Sequence, residues 1–244
     1  MSCRRLPVAL CTWFAFIVLG AAAGAEDEAR ETGVESDTVA VANLEEMRAS
    51  WTTDFLIEKP DLVATGRNPY FILEPGYVLV LEDEETRLTV TIKDETKIVD
   101  GVECRALEER ETEDGELAEL SNNYFAISRR TNNVYYFGED AGGAWWSGEQ
   151  GARFGLIMPG LPLLGAKYYQ EIAPGAAMDR AEIASVTETV KTPAGEFKNC
   201  LKIEETTPLE PGNREYKFYA PGIGLVQDGA LKLVQYGMAG RPAE

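Results

Sequence analysis

The run LEERETEDGE at residues 107–116 places carboxylates at Glu109, Glu111 and Glu113. On a strand, side chains two apart share a face, so these three form a row. Calcium needs several oxygens converging at about 2.3–2.6 Å, usually from a loop. A row is not a cage, so the run reads as a solvated strand face, with weak divalent-cation binding as the alternative. Glycoside hydrolysis wants two carboxyl groups about 5–9 Å apart across a cleft. Glu204 and Glu205 are adjacent, point to opposite faces of a strand, and are not that pair. The chain has no histidine, which removes Ser-His-Asp and Cys-His nucleophile systems, His-ligated metals and the imidazole proton shuttle. No G-x-S-x-G, phosphate-binding loop, C-x-x-C or EF-hand spacing occurs. These residues point to a non-enzymatic protein with no cofactor and no catalytic set.

The segment FGEDAGGAWWSGEQGARFGLIMPGLPLLGAKYYQE, from Phe137 to Glu171, offers binding chemistry instead. It combines many glycines with Trp145, Trp146, Phe154, Met158 and Leu161. Large apolar side chains on irregular backbone either pack into the core or form a contact surface. A lid over an apolar cavity would use this composition, because glycine permits movement and aromatics supply area. A loop plugging the open end of a sheet would use it equally well. If there is a ligand site, these five residues are its candidates, with the groove beneath residues 142–165.

The elements that must hold such a site are strands. From Tyr77 the sequence alternates with period two through YVLVLEDEE and TRLTVTIKDETKIV, rich in β-branched residues. Asp100-Gly101, Asp114-Gly115 and Thr131-Asn132-Asn133 are turn signals between returning strands. A second meander follows: IASVTETVKT, a turn at Pro193-Ala194-Gly195, EFKNCLKIEETT, REYKFYA and LVQDG, closed by ALKLVQYG. TPAG, EPG and APGIG lack the following helix that lets a Gly-rich loop hold phosphate, and read as hairpin turns. Gly101 corresponds to Gly195, Cys104 to Cys200, Tyr124-Phe125-Ala126 to Phe218-Tyr219-Ala220, and Gly138 to Gly229, which suggests two repeats of one meander.

Before the strands, Arg4-Arg5, an apolar core over Leu6–Leu19 and Ala23-Gly24-Ala25 read as a cleavable secretory signal, residues 1–25. The core is too short to span a bilayer comfortably. Residues 26–37 are an acidic disordered leader, and 38–66 a short helix with a linker, the helix lying over 38–51. Residues 67–237 form the single β domain and 238–244 a disordered tail. Cleavage would remove two arginines and no acid, taking the net charge from −18 to −20. Such a surface repels nucleic acid phosphates and anionic headgroups. Cys104 and Cys200 would be the remaining cysteines. In an oxidising compartment they can form a disulfide, or each can be a small buried hydrophobe.

Three further stretches, NPYFILEPGY (68–77), GEFKNC (195–200) and YAPGIGLVQDG (219–229), resemble an uncharacterised family of exported bacterial β-rich proteins. YFGED (136–140) and MPGLPLLGAKYYQE (158–171) fit the same pattern, so the resemblance covers roughly residues 68–236. The last hairpin is also similar to those of envelope proteins with curved, lipoprotein-carrier-like sheets. The resemblance implies a fold and an exported location but no catalytic residues.

The expectation is an all-β domain: a curved antiparallel sheet, sandwich or half-barrel, built from two meander-like repeats after a short N-terminal helix. The function expected is a periplasmic or extracellular, non-enzymatic binding or envelope-associated protein. Its partners would be an apolar small molecule or an envelope protein, with no nucleic acid and no integral span after signal cleavage. The alternative is an acidic structural or interaction module that binds a protein partner or divalent cations. A His-free enzyme of unknown reaction is the second alternative.

Overall fold

The computed structural model describes residues 50–239. The signal, the acidic leader, nearly all of the expected helix and the last residues of the tail lie outside them. Within them the chain is nearly all strand, in one large curved antiparallel sheet that approaches a barrel. No helix among the described residues is long and apolar enough to cross a membrane.

Eleven longer strands carry the wall: β1 (Tyr77–Glu82), β2 (Thr86–Val99), β3 (Val102–Glu113), β4 (Glu116–Ser128), β5 (Val134–Asp140), β6 (Arg153–Met158), β7 (Arg180–Thr192), β8 (Gly195–Thr206), β9 (Glu215–Ala220), β10 (Gly224–Asp228) and β11 (Leu231–Met238). β1 to β6 neighbour one another in chain order, as do β7 to β11, and β11 pairs with β1 to join the two halves. The turn residues do what their types predict. Asp100-Gly101 and Asp114-Gly115 all have positive φ, the backbone of a two-residue hairpin whose twist matches its strands.

One segment brings the free edges together. Lys167–Tyr169 pairs with β7 at one edge, and Glu171–Ile172 pairs with β6 at the other. Gln170 between them donates its N–H to the Asp179 carbonyl at 2.8 Å. The approach is so close that a Cβ on Gly155 of β6 would lie 2.4 Å from the Gln170 carbonyl oxygen. A side chain at 155 and the closing segment cannot occupy the same space.

A leading hairpin, Gly66–Asn68 with Phe71–Leu73, packs onto the barrel through Phe71, whose ring meets Phe125 edge-on at 5.3 Å. Asn68, in the NPYF motif, is buried and pins two distant loops. Its side-chain amide donates to the Asn132 carbonyl at 2.8 Å and the Pro159 carbonyl at 3.0 Å, while its oxygen accepts from the Tyr70 N–H at 2.7 Å. Arg105, also buried, donates to the Ala64 and Asp94 carbonyls and the Thr65 hydroxyl, fastening the chain before the hairpin to the irregularity in β2. Buried polar groups with several partners fix geometry where apolar contact alone would not.

Cys104 and Cys200 are both free and buried. Cys104 lies on β3 and Cys200 on β8, far apart in strand order, so of the two readings open in the sequence the structure contains the buried hydrophobes. Burial pushes the Cys104 thiol up to about 12, which leaves essentially no reactive thiolate at neutral pH. We expect the native mature protein to resist a maleimide reagent and to show the same intact mass with and without reductant. Rapid labelling, or a gain of about two mass units on reduction, would contradict this arrangement.

Of the internal correspondences, Gly138 and Gly229 occupy different settings. Gly138 lies within β5 against the Trp146 ring, where a Cβ would meet Cε3 at 2.5 Å, whereas Gly229 is a turn residue with φ 52° and open space.

Candidate functional site: a chamber inside the barrel

Alternation along a strand gives each wall an inner row. β1 offers Leu79, β2 Leu88, Val90 and Ile92, and β3 begins its row with Leu107. Toward the ends of β3 and β4 the inner row changes character. Register places Leu107 opposite Asn123, Glu109 opposite Ser121, and Glu111 opposite Glu119. All six line a chamber of about 550 Å³, whose lining also includes the exposed Arg214 and Gly229. Its size falls within the range of small-molecule sites.

The chamber has two unlike walls. One is apolar, formed by Leu79, Leu88, Val90, Ile92, Leu107 and Phe125. The other gathers Glu109, Glu111, Glu119, Glu171, Asp179, Glu205 and Asp228 around Lys217 of β9, with Glu215, Lys202 and the exposed Arg214 also on the lining. Lys217 Nζ lies 3.0 Å from Glu205 and 3.8 Å from Asp228. Burial alone would lower its pKa, but Asp228 and Glu205 outweigh burial and hold it well above the ordinary lysine value. Glu205 also accepts from the Gln170 side-chain amide at 2.8 Å, which ties the acidic wall to the closing segment.

Lys202, Arg214 and Lys217 cannot neutralise the eight carboxyls on the lining. Burial, followed by repulsion from Glu119 and other neighbours, raises Glu111 to about 7. Burial also raises Glu109 to about 7, although Lys217 pulls it the other way. Glu109 keeps some accessible surface, but that surface faces the chamber rather than bulk solvent. Asp179 rises to about 6 through burial and Glu205. Glu139, buried on β5, rises to about 8 through burial and the charge of Glu109.

Glu171 is the most enclosed. It is fully buried and lines the chamber; Oε1 accepts from the Asp179 N–H, whereas Oε2 has no partner. Burial and the charge of Asp179 push its pKa well above the usual carboxyl range. A buried lone pair with no donor is costly, and a native structure that keeps one calls for a partner.

Two buried tyrosines stand beside the acids. Tyr136 donates its hydroxyl to Asn123 Oδ1 and stacks on Phe125 with ring centres 4.7 Å apart. Tyr219 lies on β9 near Lys217, and both tyrosines are pushed well above the ordinary value by burial first, then by neighbouring carboxylates.

The acidic row reads differently from its sequence expectation. Glu109 and Glu111 face inward rather than forming a solvated strand face, because the charged face of β3 is the barrel's inner face. Glu113 is exposed at the strand's end, so the three do not converge. No group of three or more metal-ligating side chains with metal-holding geometry occurs among the described residues.

The Trp- and Gly-rich segment is placed beside the chamber rather than over it, and of residues 142–165 only Ile157 lines it. Trp145 is buried edge-on against Tyr136 at 5.0 Å. Trp146 faces the other way, against Tyr124, with Lys97 Nζ 3.3 Å from its ring centre. Phe154 stacks on Phe137 at 4.9 Å, and Met158 is fully buried. Leu161 is 77% exposed on a loop. The five candidates therefore form no common pocket. Trp145, Trp146, Phe154 and Met158 pack around the β5–β6 corner.

The acidic wall left no direct sequence signal. Glu111 stands three residues before Asp114 and Glu119 four after Gly115, so simple hairpin counting pairs Glu111 with Ala118; a register shift between Glu111 and Thr112 sets Glu119 opposite it instead. Like charges directly opposed are destabilising, and a hairpin that keeps such a pair invites an explanation.

No protein-family model matches the chain, and no curated protein matches it. Among solved structures, a candidate lipoprotein from Parabacteroides distasonis aligns with 67% of this chain and 95% of its own length, at 11% identity and a TM-score of 0.39. A likeness at that level carries no argument about function.

Proposed function

We propose that this chain is an exported, non-enzymatic binding protein that holds a small molecule with an apolar body inside its barrel. The observation that carries the reading is the chamber of about 550 Å³. A chain folding only for stability fills such a space, because interiors pack to near-crystalline density and voids are costly. Here the apolar wall of Leu79, Val90 and Leu107 is left open beside a polar wall, which suits a ligand with one face of each kind. Export rests on the N-terminal signal and on the resemblance to exported β-rich proteins.

Organic extraction of the purified mature protein, followed by mass spectrometry, should release an apolar compound. A Val90→Trp variant, which projects an indole into the chamber, should release at least about tenfold less while remaining folded, since overpacking costs about 1–3 kcal/mol. Clean extracts from the wild type, with no thermal stabilisation by any apolar or amphiphilic probe, would defeat the proposal. Equal yields from wild type and the folded variant would place the ligand elsewhere.

A further inference from the structure

We propose that the chamber selects organic cations: an amine on an apolar body, its ammonium seated at Glu171 and its hydrocarbon along the Leu79, Val90 and Leu107 wall. This inference rests on the reading of the barrel as a binding chamber and names the chemistry of the occupant.

Three independent features lead to it. The first is Glu171, a fully buried carboxyl among the lining residues of the chamber, whose Oε2 has no donor. An ammonium brings three donors and a positive charge to that point. The second is the imbalance around it. Glu171 is faced by Asp179 just before β7, Glu205 on β8 and Glu139 on β5. Glu109 and Glu111 on β3, Glu119 on β4, Glu215 on β9 and Asp228 on β10 complete the acidic groups of the lining, eight carboxyls with Glu171, Asp179 and Glu205, against three cations, Lys217 on β9, Lys202 on β8 and the exposed Arg214. A further cation lowers the energy of this cluster; an anion raises it. The third is Tyr219, buried on β9 and lining the chamber next to the carboxyls. Aromatic faces attract ammonium groups, and more strongly where water is excluded.

The same features disfavour a metal ion. A divalent cation needs several oxygens converging at fixed short distances, and the described residues contain no such group. An ammonium needs only one to three acceptors, and the apolar wall supplies contact that a bare ion cannot use.

Binding has a proton balance. At neutral pH part of the acidic wall is protonated. When an ammonium enters, a carboxylic acid gives its proton to solvent and becomes the carboxylate that pairs with the amine. Charge is conserved, and affinity rises with pH until the wall is already ionised.

Titration calorimetry of the purified mature protein with decylamine, 1-decanol and decanoate tests this, since the three probes share one tail and differ in head charge. At about pH 8, decylamine should bind at least about tenfold more tightly than decanol, as expected for a charge-assisted contact, and decanoate most weakly. The advantage of the amine should shrink severalfold at about pH 5.5, with decanol unchanged. Repeating the amine titration near pH 7 in buffers of different ionisation enthalpy should show release of about one proton. Glu171→Gln should lose about tenfold for decylamine and nothing for decanol. Decanol binding as tightly as decylamine, or no proton release, would overturn the cation proposal while leaving the binding reading intact. Amine binding that survives Val90→Trp would also overturn it, since it would report attraction to the acidic exterior. Failure of all three probes to bind would overturn both.

Discussion

A Gly155→Ala variant is expected to lose about 3 kcal/mol or more of stability, roughly a 10 °C fall in melting temperature. The new methyl group would sit 2.4 Å from the Gln170 carbonyl oxygen and 2.5 Å from both the Gln170 carbonyl carbon and the Tyr169 oxygen. These are backbone atoms, which cannot swing aside as the tip of a side chain can. Gly155 does not need left-handed backbone, so the loss would report closure of the sheet rather than conformational strain. Relief requires moving residues 169–170 outward, which breaks the pairing of Phe154 with Glu171 and the bond from Gln170 to Asp179. Because Gln170 and Glu171 also line the chamber, residual folded protein should bind ligand poorly. Gly142→Ala, where no atom lies within 4 Å of the new Cβ, is the control and should melt as wild type does. Thermal unfolding of the two variants settles the matter, and a Gly155→Ala protein melting within a degree or two of wild type would mean that the barrel is not closed here.

The second large effect is an inverted dependence of stability on pH. Most folded proteins lose stability in mild acid because their carboxylates are paired in the native state. This chamber does the opposite. Glu109 and Glu111 at about 7, Glu139 at about 8 and Asp179 at about 6 all lie above their ordinary values of 4.5 and 3.8. Between roughly pH 4.5 and 8 the folded state therefore holds protons that the unfolded chain has released. When the native state binds more protons, stability falls as pH rises. Each unit of difference is worth about 1.4 kcal/mol for an isolated group. Repulsion is shared among these acids and the chamber admits solvent, so the contributions do not add. A total of about 3–5 kcal/mol between pH 5 and pH 8 is the expected scale.

Chemical denaturation across that range should thus give the higher stability at pH 5. Glu139→Gln should flatten the slope, since it removes a carboxyl that ionises late. Lys217→Met should steepen it: at pH 8 it strips Glu205 and Asp228 of their partner and costs about 3 kcal/mol, and at pH 5 it costs less. A stability that is flat or rising from pH 5 to pH 8 would show that the acidic wall ionises freely, as it would if water filled the chamber like bulk solvent.

Much of the wall was legible in the residues. β-branched alternation marked the strands, and Asp-Gly pairs with positive φ placed the hairpins at 100–101 and 114–115. The absence of histidine narrowed the chemistry by composition alone. The direction of the charged faces was not legible. A period of two says that a strand has two unlike faces; it does not say which one is inside when the interior is partly polar. Glu109 and Glu111 look like surface residues because charge usually seeks water, yet in this barrel both line the chamber.

Irregular pairing hid the rest. Tyr136 and Glu139 are three apart, and simple alternation assigns them to opposite faces. A register shift between Tyr124 and Phe125 instead sets Tyr136 opposite Phe125 and Glu139 opposite Asn123, one face of β4. The closing segment has the same character. Residues 167–172 look like loop in a Gly- and Leu-rich stretch, yet they join β7 to β6 across the whole chain order. The strands, the turns and the excluded chemistry each follow from residue types and from neighbours a few positions apart, so the linear chain suffices to set them. Where the sheet closes and which carboxyls meet depend on contacts between distant strands, and those strands come together only when the sheet curves.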